Sequence, residues 1–346
     1  MDITPLSSYI APMSATQLLY QNIAHSSLSS VTVINAQAHP LLNEICAKTT
    51  TCLLQQSFKP SSDALRHSGL KCITELSVNQ GSDLILIHPS KSRQQTLFWM
   101  AASMQQLEQG GKIAMACANN HGAKGYESAL KTLAGNIVST SKSKCRIFSA
   151  TKSDSFDDEL SEQWLHSGKA QVVASHGLIS RPGLFSWDRP DSGSLLLLKH
   201  LPELTGSGMD LCSGYGLLSE QILRSSGQLD HIHLVEAEQL ALDCAARNCE
   251  PWGSKVSYHW LDAASESLPT EMDWVVCNPP FHTGQDRDIE LGRKIIINGC
   301  KALKPGGEIY LVANRKLPYE PVLQSNLKSV QTLIEAEGFK VIRGVR

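Results

Sequence analysis

The chain has 346 residues, of which 42% are apolar and 18% charged, with a net charge of −2. That is about twice the length of an ordinary domain and enough apolar residues for two cores, which excludes a disordered or fibrous chain. Residues 1–165 carry 13 Lys and Arg against 12 Asp and Glu, and residues 166–346 carry 18 against 21, so neither half has the basic excess that grips naked nucleic acid through its phosphates.

The chain opens with Met1-Asp2-Ile3-Thr4-Pro5, without the basic and apolar regions of a secretory leader. No apolar run reaches the roughly 18 residues of a membrane span, so a cytoplasmic protein with no membrane contact is expected. The ten cysteines form no CxxC pair and stand near no histidine cluster at zinc spacing. They are expected to be buried free thiols, with no metal site.

In the first half, Asp83-Leu84-Ile85-Leu86-Ile87 reads as a buried strand ending at His88-Pro89. A glycine turn at Gly110-Gly111 leads into a second apolar strand that ends at Ala118-Asn119. Cys145 to Ala150 reads as a further strand, flanked by the polar run Ser139 to Lys144 and the acidic run Lys152 to Glu159. These polar runs place the end of a first domain near residue 160, with Glu162 to Leu165 as a short connector.

The second half alternates strand and helix. A short strand ends at Asp210-Leu211, and Leu217, Leu218, Ile222 and Leu223 follow at helical spacing. His231 to Glu236 is a strand, and Leu240 to Asn248 a helix. Val256 to Leu261 and Asp273 to Cys277 are strands. Ile295 to Leu303 is a helix stopped by Lys304-Pro305-Gly306-Gly307, and Glu308 to Ala313 is another strand. This alternation predicts a parallel sheet covered by helices, with ligands beyond the carboxyl ends of the strands.

The halves also resemble each other. Asp83 to Pro89 parallels Asp273 to Pro279, and Leu107 to Ile113 parallels Leu303 to Ile309. The expected fold is therefore α/β, with two tandem copies of one Rossmann-like domain, residues 1–160 and 161–346.

Chemistry concentrates in the second copy. Asn278-Pro279-Pro280-Phe281 follows a buried strand directly. An exocyclic amine on a ring has a delocalised lone pair and is a poor nucleophile. Two acceptors, the Asn278 side-chain oxygen and the Pro279 carbonyl, can hold both of its N–H bonds and turn the lone pair outward. Pro279 and Pro280 stiffen the turn, and Phe281 offers a face on which a flipped base can stack. Orientation then carries much of the barrier reduction, with no general base needed.

Asp210-Leu211-Cys212-Ser213-Gly214-Tyr215-Gly216 is a glycine-containing strand-to-helix turn. The carboxylate of Asp210 disfavours a pyrophosphate there and suits a cation. Glu236 ends the next strand, where an acidic residue can bind ribose hydroxyls, and Asp262 ends the one after, where it can meet an adenine edge.

With these motifs the second half resembles the class I S-adenosylmethionine-dependent methyltransferases. The whole chain looks like the bacterial small-subunit ribosomal RNA guanine-N2 methyltransferases of the RsmC type. Gly183 to Asp188, Asp191 to Leu197, Leu317-Pro318-Tyr319 and Phe339 to Arg343 carry the closer likeness.

The resemblance implies S-adenosylmethionine as methyl donor, held by Asp210, Gly214, Gly216, Glu236 and Asp262. It implies catalysis by Asn278, Pro279, Pro280 and Phe281 without metal, and ribosomal RNA or the small ribosomal subunit as partner. Phe185, Trp187 and Arg189 would contact RNA or, for the two aromatics, plug a groove. A monomer is expected, since two fused copies form their own pseudo-dimer.

Two departures stand out. Cys212 and Ser213 occupy the start of a turn that in the family reads Asp-x-Gly-x-Gly-x-Gly, and Cys212 carries a steric cost if φ must be positive. The first copy has His88-Pro89-Ser90-Lys91 in place of Asn-Pro-Pro-Phe and no glycine around Ile34 to Gln37. Residues 1–160 are therefore expected to bind no cofactor and to serve as scaffold or RNA-docking domain. Other readings are methylation of large-subunit guanine N2, of adenine N6 or of a protein glutamine, and a non-catalytic RNA-binding assembly factor.

Overall fold

Strands, most of them apolar, alternate with helices twice along the chain, and each series closes around its own sheet. The computed structural model describes residues 14–23, 29–75, 81–280 and 289–346. It divides into two units, residues 1–56 with 63–168, and residues 57–62 with 169–346. The sequence places the boundary near 160.

The elements of the first series are α1 (Ala15–Gln21), β1 (Ser30–Ile34), α2 (Pro40–Lys48), β2 (Thr51–Gln55), α3 (Lys59–His67), β3 (Leu84–Ile87), α4 (Arg93–Gln106), β4 (Lys112–Ala118), α5 (Ala123–Ala134), β5 (Val138–Lys142), β6 (Cys145–Thr151) and α6 (Asp158–Gly168). Their six-stranded sheet has the order β2-β1-β3-β4-β6-β5, parallel as far as β4 and antiparallel beyond it. Residues 162–165 lie inside α6 rather than in a connector. Leu160 and Trp164, one helical turn apart, pack on the core that holds Trp99, Met104 and Leu130.

Cys46 and Cys52 form a disulfide, which corrects the expectation of free thiols throughout. The chain folds back between α2 and β2, bringing the two Cα atoms to 5.2 Å, within reach of a bridge. Cys72 and Cys212 are partly exposed, and the other six cysteines are buried thiols.

The second series comprises β7 (Gln171–Val172), β8 (Ile179–Ser180), α7 (Ser192–His200), β9 (Gly206–Leu211), α8 (Leu217–Ser225), β10 (Leu229–Glu236), α9 (Gln239–Asn248), β11 (Val256–Trp260), β12 (Met272–Cys277), α10 (Ile289–Ala302), β13 (Leu303–Asn314), α11 (Glu320–Asn326), β14 (Ser329–Ala336) and β15 (Phe339–Val345). Its seven-stranded sheet runs β11-β10-β9-β12-β13-β15-β14, with β15 antiparallel to both of its neighbours. The Lys304 to Gly307 segment does not end the helix in a free turn. It is absorbed into the start of β13 as a register irregularity opposite Met272 and Trp274.

Both sheets thus follow one plan, a parallel set that reverses order beside its first strand and ends in an antiparallel hairpin. Even the strained residue recurs: Asn35 after β1 has φ 54° and Cys212 after β9 has φ 66°. Cores lie on both faces of the second sheet. Leu211, Val275 and Ile309 pack under α10, and Leu234, Val276 and Tyr310 lie on the opposite face. The order reverses between β9 and β12, and that reversal point is where the carboxyl ends of a parallel sheet leave a crevice.

Candidate active site

The turn after β9 carries three residues at positive φ, Cys212 at 66°, Gly214 at 56° and Gly216 at 85°. The expected steric cost at Cys212 is therefore real. Around Gly214 a Cβ would meet nothing within 4 Å, so its backbone lies open to a ligand. Gly216 differs. A Cβ there would stand 3.1 Å from the Cβ of Ala245, so this glycine lets α8 pack closely on α9.

Asp210 is fully buried beneath the turn. Its Oδ2 accepts from the Ser219 amide at 3.1 Å and the Ser219 hydroxyl at 2.6 Å, which ties β9 to the first turn of α8. Among the described residues its Oδ1 has no partner, and neither does the buried hydroxyl of Ser213. Burial pushes the Asp210 carboxyl up to about 7, against the Ser219 hydrogen bonds and with help from the charge of Glu236. Buried polar atoms without partners are rare and invite a ligand. An amino-acid zwitterion fits this pair: its carboxylate can accept from Ser213, and its ammonium is favoured by the field of Asp210.

Glu236 ends β10 beside the turn. Its Oε2 accepts from the Gly214 amide at 2.8 Å, and its Oε1 from the Ala237 and Glu238 amides at 2.8 and 2.9 Å. Burial raises its pKa, and these hydrogen bonds oppose the rise. Asp262 follows β11, but both of its oxygens serve a local turn. Oδ1 accepts from the Ala264 amide at 3.0 Å and Oδ2 from the Ser265 hydroxyl at 2.5 Å.

Asn278 follows β12, and its side-chain nitrogen donates to Asp191 Oδ2 and to Ser194 Oγ, each at 2.9 Å. Both partners stand at the amino end of α7, where Asp191 is the N-cap. Pro279 is buried and Pro280 exposed. Phe281 and His282 lie outside the described residues.

One small pocket joins Cys212, Ser213 and Gly214 to Asn278, Asp191 and Ser194. Gly216, Glu236 and Asp262 do not line it. Phe185 does, and it is 60% exposed, whereas Trp187 is partly buried against the cluster that holds Tyr215, Leu217 and Leu240. The two aromatics thus part company: Trp187 plugs a groove, and Phe185 presents a free face at the pocket. A larger groove bordered by Thr205, Asp273 and Glu308 lies at the opposite ends of the strands, away from the crevice. In the sequence Asp191 and Ser194 stand out only within a segment that resembles the family, and Ser213 only as a departure from its turn. No local pattern marks any of them as facing Asn278.

The corresponding places in the first unit are filled by its own side chains. Gln55, at the end of β2, accepts from the Asn35 amide at 3.0 Å where β10 has Glu236. Buried His88 follows β3 where β12 is followed by Asn278, and its Nε2 lies 2.8 Å from the hydroxyl of buried Tyr20 on α1. Burial lowers the His88 pKa to about 4.

The strand order and the crevice residues together define a class I, Rossmann-like methyltransferase domain preceded by a second copy of its plan. The methyltransferase small domain family matches residues 175–343, and its N-terminal domain family matches residues 16–167. A ribosomal RNA small subunit methyltransferase C from Pseudomonas entomophila is 30% identical over 76% of this chain and 79% of its own length. One from Hahella chejuensis is 32% identical over 64% and 66%. A T. thermophilus 16S rRNA N2 G1207 methyltransferase, solved with AdoMet and guanosine, superposes with a TM-score of 0.77 at 22% identity, over 98% of this chain and 93% of that one. The chain belongs to the ribosomal RNA small subunit methyltransferase C family. Among the described residues no helix is long and apolar enough to cross a membrane, and no three His, Cys, Asp or Glu side chains gather as a metal ion requires.

Proposed function

We propose that this protein transfers a methyl group from S-adenosylmethionine to the exocyclic N2 amine of a guanine in small-subunit ribosomal RNA. The observation that carries this reading is the Asn278 amide. Its nitrogen is committed to Asp191 and Ser194, which leaves its oxygen as the acceptor for an incoming amine. Family membership and the named relatives support the ribosomal RNA substrate.

The cofactor supplies an electrophilic methyl group on a sulfonium. Gly214 and Ser213 bind its amino-acid end over Asp210, and Glu236 takes the ribose hydroxyls. Asp262 would meet the adenine edge with a remaining lone pair of its carboxylate, since each oxygen accepts only one hydrogen bond within its own turn, whereas its backbone N–H already donates to Glu266 Oε2. Asn278 Oδ1 and the Pro279 carbonyl accept the two N–H bonds of the guanine amine and hold its lone pair in line with the methyl carbon. Phe281 stacks the flipped base, and Phe185 offers a further exposed aromatic face. As the N–CH3 bond forms, the S–CH3 bond would break with its electron pair left on sulfur as a neutral thioether, and the methylated amine then releases one proton to water, so no residue here has to act as a strong base.

Residues 1–160 act as scaffold or RNA-docking domain without cofactor. Gln55 and His88 support this, since they stand where the second unit has Glu236 and Asn278, and His88 is tied to Tyr20 within the unit. The protein works in the cytoplasm as a monomer, without metal.

The test is transfer of labelled methyl from S-adenosylmethionine to purified ribosomal subunits, with Asn278→Ala in parallel. Label recovered as N2-methylguanosine in small-subunit RNA, and lost in the variant, is the expected result. Cofactor binding without label on any RNA would overturn the reading in favour of a protein substrate or an assembly role.

A further inference from the structure

We propose that Asp191 and Ser194 are positioning residues that fix the direction of the Asn278 amide, an inference that rests on the methyl-transfer reading above. An asparagine amide has two ends of nearly equal size, and only one presents an acceptor. Reversed, Asn278 would offer N–H donors to an amine that also carries N–H donors, and the lone pair would not be turned toward the methyl group. Something must therefore discriminate between the two orientations.

Asp191 provides the discrimination. Its Oδ2 accepts the Ser194 amide at 2.8 Å as the N-cap of α7, and the same oxygen meets Asn278 at 2.9 Å. An oxygen that already accepts one N–H bond at a helix cap is an acceptor, so the group facing it must be Nδ2. Ser194 Oγ takes the second hydrogen of that nitrogen, again at 2.9 Å. A flipped amide would set Oδ1 against the Asp191 carboxylate with no hydrogen between them. The spacing Asp191-x-Gly193-Ser194 follows from this geometry. A Cβ at Gly193 would stand 3.0 Å from Asp191 Oδ2 and 3.0 Å from the Phe339 ring, so glycine leaves the carboxylate its place.

The first unit differs at the same place. There α1 sends Tyr20 to His88, which has an imidazole where Asn278 has its amide.

The test compares the full chain with Asp191→Ser, in which serine still caps α7 but is too short to reach Asn278. Ser194→Ala removes the second acceptor alone, and Asp191→Asn is the conservative variant whose Oδ1 can accept both N–H groups. Two quantities are followed, the side-chain amide resonances of Asn278 and the methyl-transfer rate on small ribosomal subunits, with cofactor affinity and the unfolding midpoint alongside. In Asp191→Ser the Asn278 resonances should move and kcat should fall on the order of 100-fold, as a misplaced reactive group does. Cofactor affinity and unfolding midpoint should stay near wild type, Asp191→Asn should recover much of the rate, and Ser194→Ala should fall between. Unmoved Asn278 resonances in Asp191→Ser would overturn the proposal. So would moved resonances with an unchanged rate, or a rate loss matched by loss of folding or of cofactor affinity. A wild-type protein inactive on ribosomal RNA whose Asn278 resonances still respond to Asp191→Ser would sink the methyl-transfer reading and leave the orienting contact standing.

Discussion

Replacing Asp210 with asparagine should stabilise the ligand-free protein at alkaline pH and weaken its hold on the methyl donor. Burial raises the carboxyl from its ordinary 3.8 to about 7. For an acid with a raised pKa, the folded state binds more protons than the unfolded state between those two values. Stability therefore falls as pH rises through that window, and the whole cost is present above 7. The shift corresponds to about 4 kcal/mol of disfavoured ionisation. In Asp210→Asn the remaining oxygen keeps both Ser219 hydrogen bonds, while the new buried N–H groups give back about 1–3 kcal/mol.

The variant should thus gain about 1–3 kcal/mol at pH 8 and gain nothing at pH 5. Urea unfolding at the two pH values, for both proteins, measures this. In the wild type, ionised Asp210 is the form that favours the cofactor's ammonium. Its ionised fraction climbs from roughly a tenth at pH 6 to a half at pH 7, so affinity should rise about fivefold over that unit. Isothermal titration should show that rise in the wild type and a flat, weaker affinity in the variant. Equal destabilisation of the variant at both pH values, with a flat wild-type affinity, would refute the reasoning.

Other outcomes follow from single contacts. Glu236→Gln turns one of three amide-accepting contacts into an N–H facing the Gly214 amide, and should weaken cofactor binding about 10- to 100-fold in a direct titration. In Gly208→Ala the new Cβ would fall 2.0 Å from the ring of buried Trp274, whose indole N–H is tied to the Thr205 carbonyl. A loss of about 3 kcal/mol in urea unfolding is expected, and an unchanged midpoint would deny the contact. Cys212 lines the pocket, yet the neighbouring Cys277 thiol and then burial hold its pKa well above the usual thiol range. Iodoacetamide at pH 8 should therefore modify it at least about tenfold more slowly than Cys72, although both are partly exposed, as peptide mapping would show.

Periodicity and turn chemistry made most of the fold legible. Asp273 to Cys277 could only be a buried strand, and the repeated strand and Gly-Gly pattern announced two copies of one sheet. These are local signals, written within ten or so residues. Lys304 to Gly307 marked the end of the helix, which stops at Ala302, but did not show that the next strand starts within that segment, where Met272 and Trp274 of the neighbouring strand take it up as an irregularity of register. Glu162 to Leu165 misled because the acidic run before it resembled a linker, while α4 was waiting to receive Leu160 and Trp164. The Cys46–Cys52 bridge stayed hidden because nothing in the spacing shows that the chain folds back between them.

The site divides along the same line. Asn278, Pro279, Gly214 and Glu236 stand at strand ends that the sequence pattern already marks, so their candidacy needed no structure. What orients Asn278 comes from Asp191 and Ser194, 87 and 84 residues earlier on another element. The burial that raises Asp210 depends on α8 closing over β9, and the local role of Asp262 depends on a turn formed by the residues after it. A sequence records which groups are present and how they repeat along the chain. Which group meets which, and how far each is removed from water, follows only from packing between distant segments, and those two quantities set hydrogen-bond direction and pKa.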